Sequence, residues 1–350
     1  MTTTLISRSI ARELHGSTTQ VIGQERARRQ MAVLIERQVE LARGKYQMSQ
    51  AAIVAGWTGS GKTMMTRLMC EASGLPFADI NATQYTESGY AGDDLAQMFV
   101  PLLESAARMI DHEAGARPPE VSSVLKRDDI RQVIELASTG VIFLDEFDKW
   151  TQRVNHATGR LDTSIQAELL KMIEGSIEYV SDEEDELGFP FDTSRVLIIC
   201  GGAFVGLARQ VLRRLQRDEE FMHDEGFWDL IEQGDFVKYG LIPELAGRLG
   251  IHIFTRPLRT EHMTEILTQS GGLIDEYRER FEAAGITWDV SPHAIGHLAD
   301  LALQKDVGAR GIDNVLWHKF SGALFEASHV ELPATVRFRV NDPHARIEAA

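Results

Sequence analysis

The chain has 350 residues, more than one hydrophobic core comfortably holds, so two domains are expected. Its net charge of −16 disfavours the phosphate-neutralising contacts on which nucleic-acid binding depends. No apolar run approaches the ~20 residues of a membrane span, and the first residues lack a signal-peptide core. The two cysteines, Cys70 and Cys200, exclude a disulfide framework and indicate free thiols in a reducing cytoplasm.

Apolar segments alternate with amphipathic ones as far as about residue 256. The apolar segments predict strands at residues 51–55, 75–80, 141–144, 195–200 and 251–254. The amphipathic segments predict helices at residues 25–43, 64–69, 95–110, 130–137 and 164–174. This alternation favours an α/β fold with a parallel sheet covered on both faces. Five consecutive acids at 182–186 predict a solvated loop, and residues 210–225 predict a charged helix.

The character of the sequence changes after Pro257. Three helices are predicted at 260–284, 292–304 and 312–327, and a strand at 335–340. This part is expected to form a second, smaller and mainly helical domain. The predicted organisation is a polar N-terminal segment (1–19), a large α/β domain (20–256), a small helical domain (257–342) and a C-terminal tail (343–350).

The strand predicted at 51–55 runs into a sequence of the form G-x-x-x-x-G-K-[ST], followed by a predicted helix. Glycines let backbone N–H groups approach phosphates, and the new helix presents its positive end to them. Lys62 is expected to reach the β/γ-phosphates, and the Thr63 hydroxyl to bind Mg²⁺. The motif predicts a site for a nucleoside triphosphate, whose binding residues are Gly56, Thr58, Gly59, Ser60, Gly61, Lys62 and Thr63.

Two carboxylates, Asp145 and Glu146, follow the apolar strand predicted at 141–144. In open α/β sheets, ligands bind at the carboxyl ends of the strands. Asp145 is placed to hold Mg²⁺, and Glu146 to polarise a water that attacks the γ-phosphate. Glu146 and Lys62 are therefore the predicted catalytic residues within one chain.

Hydrolysis of this kind usually needs a further cation, because negative charge develops on the transferred phosphoryl group. Arg248, in the segment 242–249, and Arg310, in the segment 308–311, are the candidates. For each arginine, a surface ion pair is the alternative that the residues alone leave open.

Many short motifs of this chain resemble those of the ClpX family, the hexameric AAA+ ATPases that unfold proteins and feed a barrel peptidase. The motifs occur in family order over residues 20–325, and they lie at residues 21–24, 56–63, 75–77, 86–92, 145–149, 169–175, 192–194, 199–204, 239–244 and 308–311. The related HslU ATPases fit less well, because they carry a large intermediate domain for which this chain has no room.

The resemblance implies ATP and Mg²⁺ as cofactors, with Val21 and Ile22 packing on adenine. It makes Asp145 and Glu146 the Walker B pair. Arg248 becomes the finger that reaches a neighbouring subunit's nucleotide, and Arg310 becomes the sensor arginine of the small domain. Two further residues, Tyr90 and Ala91, fall on the pore loop that grips an extended polypeptide. The implied assembly is a homo-oligomer, a hexameric ring that acts on protein substrates.

The sequence also departs from this family. No segment matches the Cys-rich zinc domain found at the N-terminus of ClpX proteins, so this chain is expected to be a divergent member without it. The Ile-Gly-Phe type tripeptide that docks the peptidase has no clear match between residues 206 and 240. The acidic run at 182–186 coincides with a basic loop of the family, and Trp57 replaces a proline. These departures argue against ClpP as the partner and leave the ATPase core intact.

Three functions are weighed on this basis. The first is a Mg²⁺-dependent ATPase that threads polypeptide through the pore of a ring and so unfolds or remodels proteins. The second is a nucleotide-switched assembly factor or regulatory scaffold that delivers no substrate to a peptidase. The third is a DNA-acting AAA+ protein, which the acidic charge disfavours.

Overall fold

The computed structural model describes residues 10–86, 93–113, 129–152, 154–155, 160–161, 163–182, 185–223, 226–305, 308–340 and 342–349. The chain folds as two compact units. The first unit comprises residues 1–18, 26–56 and 62–255, and the second comprises residues 19–25, 57–61 and 256–350. The division therefore passes through the predicted phosphate loop, of which residues 57–61 belong to the second unit.

The first unit contains strands β1 to β11 within the described residues. Their bounds are β1 (Ala51–Ala55), β2 (Phe77–Asn81), β3 (Tyr85–Thr86), β4 (Asp93–Asp94), β5 (Val141–Asp145), β6 (Val154–Asn155), β7 (Arg160–Leu161), β8 (Ile177–Asp182), β9 (Asp185–Asp192), β10 (Leu197–Gly202) and β11 (Ile251–Phe254). Its helices are α1 (Ile10–Gly16), α2 (Glu25–Ala42), α3 (Lys62–Ser73), α4 (Val100–Glu113), α5 (Ile130–Ala137), α6 (Ser164–Glu174), α7 (Leu207–Leu215), α8 (Gln233–Tyr239) and α9 (Pro243–Arg248).

A five-stranded parallel sheet forms the centre of this unit, in the order β11-β1-β10-β5-β2. All residues of β1 and β10 are buried, as expected for near-continuous apolar runs covered on both faces. In the register, Ala55 pairs with Gly202, and Asn81 pairs with Asp145. Because the strands are parallel, their carboxyl ends meet at one edge of the sheet, which confirms the predicted α/β fold.

The secondary structure of this unit differs from the sequence-based expectations at α1, at the end of α7 and at the acidic run 182–186. Residues 10–16, within the segment predicted to be polar, form α1, which buries Ala11 and Leu14. The predicted helix at 210–225 ends at Leu215, since Gln216 is left-handed with φ +53°, and a 3-10 helix follows at Glu219–His223. Asp182 pairs with Asp185, so the described residues of the acidic run (182, 185 and 186) belong to strands β8 and β9, and residues 183–184 lie outside the described residues.

The second unit is mainly helical, as predicted. Its elements are α10 (Thr260–Thr268), α11 (Leu273–Ala283), α12 (Pro292–Leu303), α13 (Arg310–Glu326), β12 (Ile286–Val290), β13 (Ala334–Phe338) and β14 (Arg346–Ala349). The helix predicted at 260–284 is two helices, because the chain turns at Gly271 and Gly272. Aromatic side chains fill its core, and Phe320 lies among Tyr277, Trp288 and Phe338.

The sheet of the second unit has the order β12-β13-β14. β12 and β13 are parallel, whereas β13 and β14 are antiparallel. Residues 343–350, which were expected to be a tail, therefore supply an edge strand, in which Ile347 pairs with Val336. Throughout the part of the chain that the structure describes, no helix is long and apolar enough to cross a bilayer.

Candidate functional site

The phosphate loop connects β1 to α3 and is held by its own hydrogen bonds. The Lys62 ammonium donates to the carbonyl of Gly56 at 2.7 Å, and only 7% of Lys62 is exposed. Ser60 Oγ donates to the carbonyl of Trp57 at 2.6 Å, and the Ser60 N–H donates to the same carbonyl at 3.3 Å. The lysine is therefore anchored at the base of the loop, at the start of a 12-residue helix whose N–H groups suit an anion.

The carboxylate pair lies at the end of β5, which is buried over Val141–Leu144. Asp145 Oδ2 accepts a hydrogen bond from Thr63 Oγ1 at 3.4 Å, and Asp145 Oδ1 accepts one from the Glu146 N–H at 2.8 Å. Glu146 is exposed and has a φ of +57°, in the left-handed region that costs a non-glycine residue about 1–2 kcal/mol. Such strain clusters at functional sites, where the surrounding structure fixes a side chain in place.

Thr63 and Asp145 form an oxygen donor pair that suits Mg²⁺. This ion keeps several waters and is usually held by one or two protein oxygens together with substrate phosphates. Among the described residues, no group of three or more His, Cys, Asp and Glu side chains could hold a metal. Two protein oxygens are what Mg²⁺ usually takes from a protein when it is bound together with a nucleotide.

Residues 57–61 of the loop are packed within the second unit. Val21 is 3% exposed, and its Cγ1 lies 2.9 Å from the position that a Cβ would take on Gly61. The Ala309 N–H donates to the carbonyl of Gly59 at 3.1 Å. Gly308 has a φ of +60°, and a Cβ there would lie 2.3 Å from the Thr58 carbonyl oxygen. The tip of the loop is thus bracketed by the segment at Val21 and by the start of α13.

The segment at Val21 is fixed in turn by Gln24, which is 3% exposed. Gln24 Nε2 donates to the Arg256 carbonyl at 2.9 Å, and Gln24 Oε1 accepts from the Arg256 N–H at 2.8 Å. Ile22, the second residue predicted to contact adenine, is partly buried beside it. The structure therefore brings Val21 to the phosphate loop, while the contact of Ile22 with adenine stays a prediction.

Comparison with known proteins agrees with this geometry. The family model described as AAA domain (Cdc48 subfamily) matches residues 47–252, which is more than half of the chain. The chain belongs to the AAA family. A second family model, the C-terminal, D2-small domain of ClpB protein, matches residues 258–328.

Curated relatives agree on the type of AAA protein. A protein from Treponema denticola, named ATP-dependent Clp protease ATP-binding subunit ClpX, is 29% identical over 89% of this chain and 75% of its own length. Proteins of the same name from Bacteroides fragilis and Porphyromonas gingivalis are each 28% identical over 87% of this chain and 74% of their own length. These matches confirm the resemblance to ClpX, and the chain is a ClpX-like AAA+ ATPase.

Arg248 is the last residue of α9 and lies on the surface of the first compact unit. Its Nε and Nη2 lie 2.9 and 2.7 Å from Glu174 Oε1, and the side chains of Arg248 and Glu174 are 60% and 43% exposed. The alternative left open for Arg248, a surface ion pair, is therefore present. An exposed pair contributes about 0–1 kcal/mol, so Arg248 can leave Glu174 at small cost.

The remaining residues singled out in the sequence are Arg310, Tyr90, Ala91 and Trp57. Arg310 is exposed and is the first residue of α13, directly after the Gly308–Ala309 contact with the loop. Tyr90 and Ala91 lie outside the described residues, between β3 and β4. Trp57 is partly exposed, and its replacement of the usual proline is unexplained by the structure.

Sequence reasoning missed Asp148, which stabilises the loop after β10. Asp148 is 3% exposed, and its Oδ2 accepts from the Phe204 N–H at 3.0 Å. Phe204 has a left-handed φ of +46° and packs its ring on Tyr239 at 5.4 Å. Burial and the negative charge of Asp148 raise the pKa of Tyr239 to about 12. The signal was present, because Asp148 belongs to the motif at 145–149 that follows β5.

Sequence reasoning also missed Gln166, although its segment adjoins the motif at 169–175. Gln166 is fully buried on α6 and bonds to the backbone ahead of α9. No residue pattern marks such a contact, because it joins positions that are 74 and 76 residues apart.

Proposed function

We propose that this ClpX-like ATPase unfolds or remodels proteins by threading them through the pore of a hexameric ring, driven by Mg²⁺-ATP. The observation that carries the proposal is the contact between Thr63 of the phosphate loop and Asp145 at the end of β5. This contact joins the hydroxyl of the residue after Lys62 to a carboxylate, and such a pair supports the binding of Mg²⁺-nucleotide on which threading would depend.

In this proposal Thr63 and Asp145 would hold Mg²⁺, and Val21 and Ile22 would contact adenine. Bound Mg²⁺ would neutralise charge that develops on the phosphates. Lys62 would exchange the Gly56 carbonyl for phosphate oxygens, a step favoured because the anion meets a buried ammonium. Glu146 would orient the attacking water and take up its proton, and the strained left-handed backbone at Glu146 supports a functional role for this residue.

Two arginines would complete the site. Arg310 would contact the nucleotide bound by its own chain, and its position next to the Ala309–Gly59 hydrogen bond supports this role. Arg248 would leave Glu174 and act on the nucleotide of a neighbouring subunit. An arginine of this kind is worth roughly 10³–10⁵ in rate, which far exceeds the loss of a surface ion pair.

Tyr90 and Ala91 would form the pore loop. An aromatic ring offers apolar contact to any polypeptide, which suits a loop that must pull chains of varied sequence. The substrates would be proteins, in keeping with the Clp protease subunits that this chain is similar to. Two buried free thiols support a reducing, cytoplasmic location, and the acidic net charge argues against nucleic acid as the substrate.

Tyr90→Ala tests threading, with Tyr90→Phe as the matched control. Tyr90→Ala is expected to abolish unfolding of a tagged fluorescent substrate while ATP hydrolysis stays measurable, because the segment is separate in sequence from the ATP-binding residues. Tyr90→Phe keeps the ring and should keep unfolding. Unfolding that survives Tyr90→Ala would reject threading through this loop.

A second function, a nucleotide-switched scaffold that feeds no peptidase, is favoured by the segment between α7 and α8. Phe227 is fully buried, and Trp228 is 7% exposed and lies 5.5 Å from the ring of Phe254. Arg26 is ion-paired with Asp229 in the same segment. These apolar side chains contact their own unit, so they are not available to dock a partner.

Trapping distinguishes the two functions. Glu146→Gln protein is loaded with ATP in its native host and isolated, and the bound proteins are identified by mass spectrometry. Threading predicts many different protein substrates, whereas a dedicated scaffold predicts one or a few fixed partners. A peptidase recovered with the ring would reject the scaffold function.

A further inference from the structure

Gln166 lies on α6, and its fully buried amide bonds to three backbone groups. Its Nε2 donates to the carbonyl of Gly240 at 3.1 Å and to that of Trp150 at 3.4 Å. Its Oε1 accepts from the Ile242 N–H at 3.0 Å. Leaving one such buried group without a partner costs about 1–3 kcal/mol, so the segments that the amide joins are held at a fixed spacing.

One of these segments directly follows the carboxylate pair. Trp150 belongs to the 3-10 helix Phe147–Gln152, which begins after Glu146. Trp150 is 2% exposed, and its Nε1 donates to the Ala82 carbonyl at 2.8 Å. The 3-10 helix that begins after Glu146 is therefore anchored by a buried side chain.

The other segment leads into the helix that carries Arg248. Ile242 is the N-cap of α9, and Arg248 is the last residue of that helix. Gly240 has a φ of +126°, and a Cβ there would lie 2.3 Å from the Thr151 carbonyl oxygen. The turn before α9 is thus in direct contact with the segment after Glu146, and Gln166 bonds to both.

Glu174 at the end of α6 contacts the other end of α9, through its ion pair with Arg248. Both partners of this pair are largely exposed, so it is the weaker of the two contacts. The buried amide of Gln166 therefore fixes where α9 begins, while the ion pair restrains where it ends.

We propose that Gln166 is a positioning residue for Arg248. It transmits a displacement of the segment after Asp145 and Glu146 to the arginine that serves the neighbouring subunit. The inference rests on the proposed action of Arg248 on a neighbour. In each subunit, the buried side chain of Gln166 would then connect the carboxylate pair to Arg248, which acts on the nucleotide of the neighbouring subunit.

The test compares Gln166→Met with Gln38→Met. Methionine keeps the approximate volume and removes the hydrogen bonds. Gln38 is the matched control, because it is 3% exposed and its Nε2 donates to the carbonyls of Thr139 and Arg195, both at 2.8 Å. Those residues precede β5 and β10, at the edge of the sheet opposite to Asp145.

Both variants are expected to lower the melting temperature by similar amounts. Only Gln166→Met is expected to lower the kcat of ATP hydrolysis in the assembled ring, by about tenfold or more, with KM nearly unchanged. A Gln166→Met ring with wild-type kcat, or an equal loss of kcat in Gln38→Met, would overturn the inference.

Mixing subunits locates the defect. Glu146→Gln subunits are expected to hydrolyse ATP only very slowly but carry an intact Arg248, so an excess of them should restore hydrolysis by Arg248→Ala subunits. Gln166→Met subunits should be restored in the same way, because their own ATP sites are intact. If Arg248→Ala is restored and Gln166→Met is not, Gln166 acts on its own site and the inference is wrong.

If Arg248→Ala itself is not restored, the action of Arg248 on a neighbour is wrong, and the inference falls with it. If Gln166→Met does not fold, Gln166→Asn replaces it in the same mixtures. Its amide stays polar but is one methylene too short to reach both segments, and the outcomes are judged in the same way.

Discussion

Gly308→Ala is expected to weaken nucleotide binding, because it acts on the contact between the phosphate loop and the start of α13. The left-handed φ of +60° costs an alanine about 1 kcal/mol or more. The added Cβ would lie 2.3 Å from the Thr58 carbonyl oxygen and 2.9 Å from Gly59, so the backbone at residue 308 and the phosphate loop must move apart. That movement breaks the hydrogen bond from the Ala309 N–H to Gly59, worth about 0.5–1.5 kcal/mol.

The two terms sum to about 2–3 kcal/mol, which corresponds to a roughly 30- to 150-fold loss of affinity. Titration calorimetry with a slowly hydrolysed ATP analogue measures it directly. Gly296→Ala in α12 and Gly322→Ala in α13 are the controls, since nothing lies within 4 Å of either Cβ position. Both should bind nucleotide normally and gain up to about 1 kcal/mol of helix stability.

Stability must be followed in parallel, by thermal unfolding of all three variants without nucleotide. The reasoning predicts that Gly308→Ala loses far more affinity than its small change in melting temperature explains. A folded Gly308→Ala protein whose nucleotide affinity is within about threefold of wild type would refute it, because the described loop conformation could then not be the one that binds nucleotide.

Three further outcomes are expected. Glu146→Gln should bind ATP and hydrolyse it at a small fraction of the wild-type rate, measured by phosphate release; near-normal turnover would remove Glu146 from the reaction. Asp235→Ala should lower the free energy of unfolding in urea by about 3 kcal/mol, because its 1% exposed carboxylate binds Arg214 at 2.7 Å. Arg209→Ala breaks an ion pair whose two side chains are each 71% exposed, so it should change the free energy of unfolding by less than about 0.5 kcal/mol. Burial raises the pKa of the Cys70 and Cys200 thiols far above their usual range, so iodoacetamide at pH 8 should label both only after unfolding, and fast labelling of the native chain would contradict their burial.

The sequence was sufficient for the elements whose signals are local. The strands predicted at 51–55 and 251–254 have those bounds in the structure, because these mainly apolar runs are ended by glycine or a polar residue. The phosphate loop and the carboxylate pair are likewise local, and the structure brings Thr63 and Asp145 into contact. The ClpX resemblance followed from motifs of the same short kind.

Other features depend on contacts that no short segment contains. α7 ends at Leu215, and Arg214 near that end donates to the Leu230 carbonyl and pairs with Asp235, both far along the chain. α1 is held by hydrogen bonds from Arg28 to Thr18 and to the His15 carbonyl. The two buried apolar residues of α1, Ala11 and Leu14, are too few to predict this helix from the sequence. The pairing of Arg248 with Glu174 also requires the folded positions of α6 and α9.

The division of the chain at the phosphate loop limits where this protein can be truncated. A truncated chain that ends at residue 255 would keep the whole parallel sheet, together with Lys62, Thr63, Asp145 and Glu146. It would lose the Ala309 N–H that holds Gly59 and the Arg256 backbone that holds Gln24. Because these hydrogen bonds hold Gly59 and Gln24, we expect a shortened protein intended for ligand screening to need residues up to at least the start of α13.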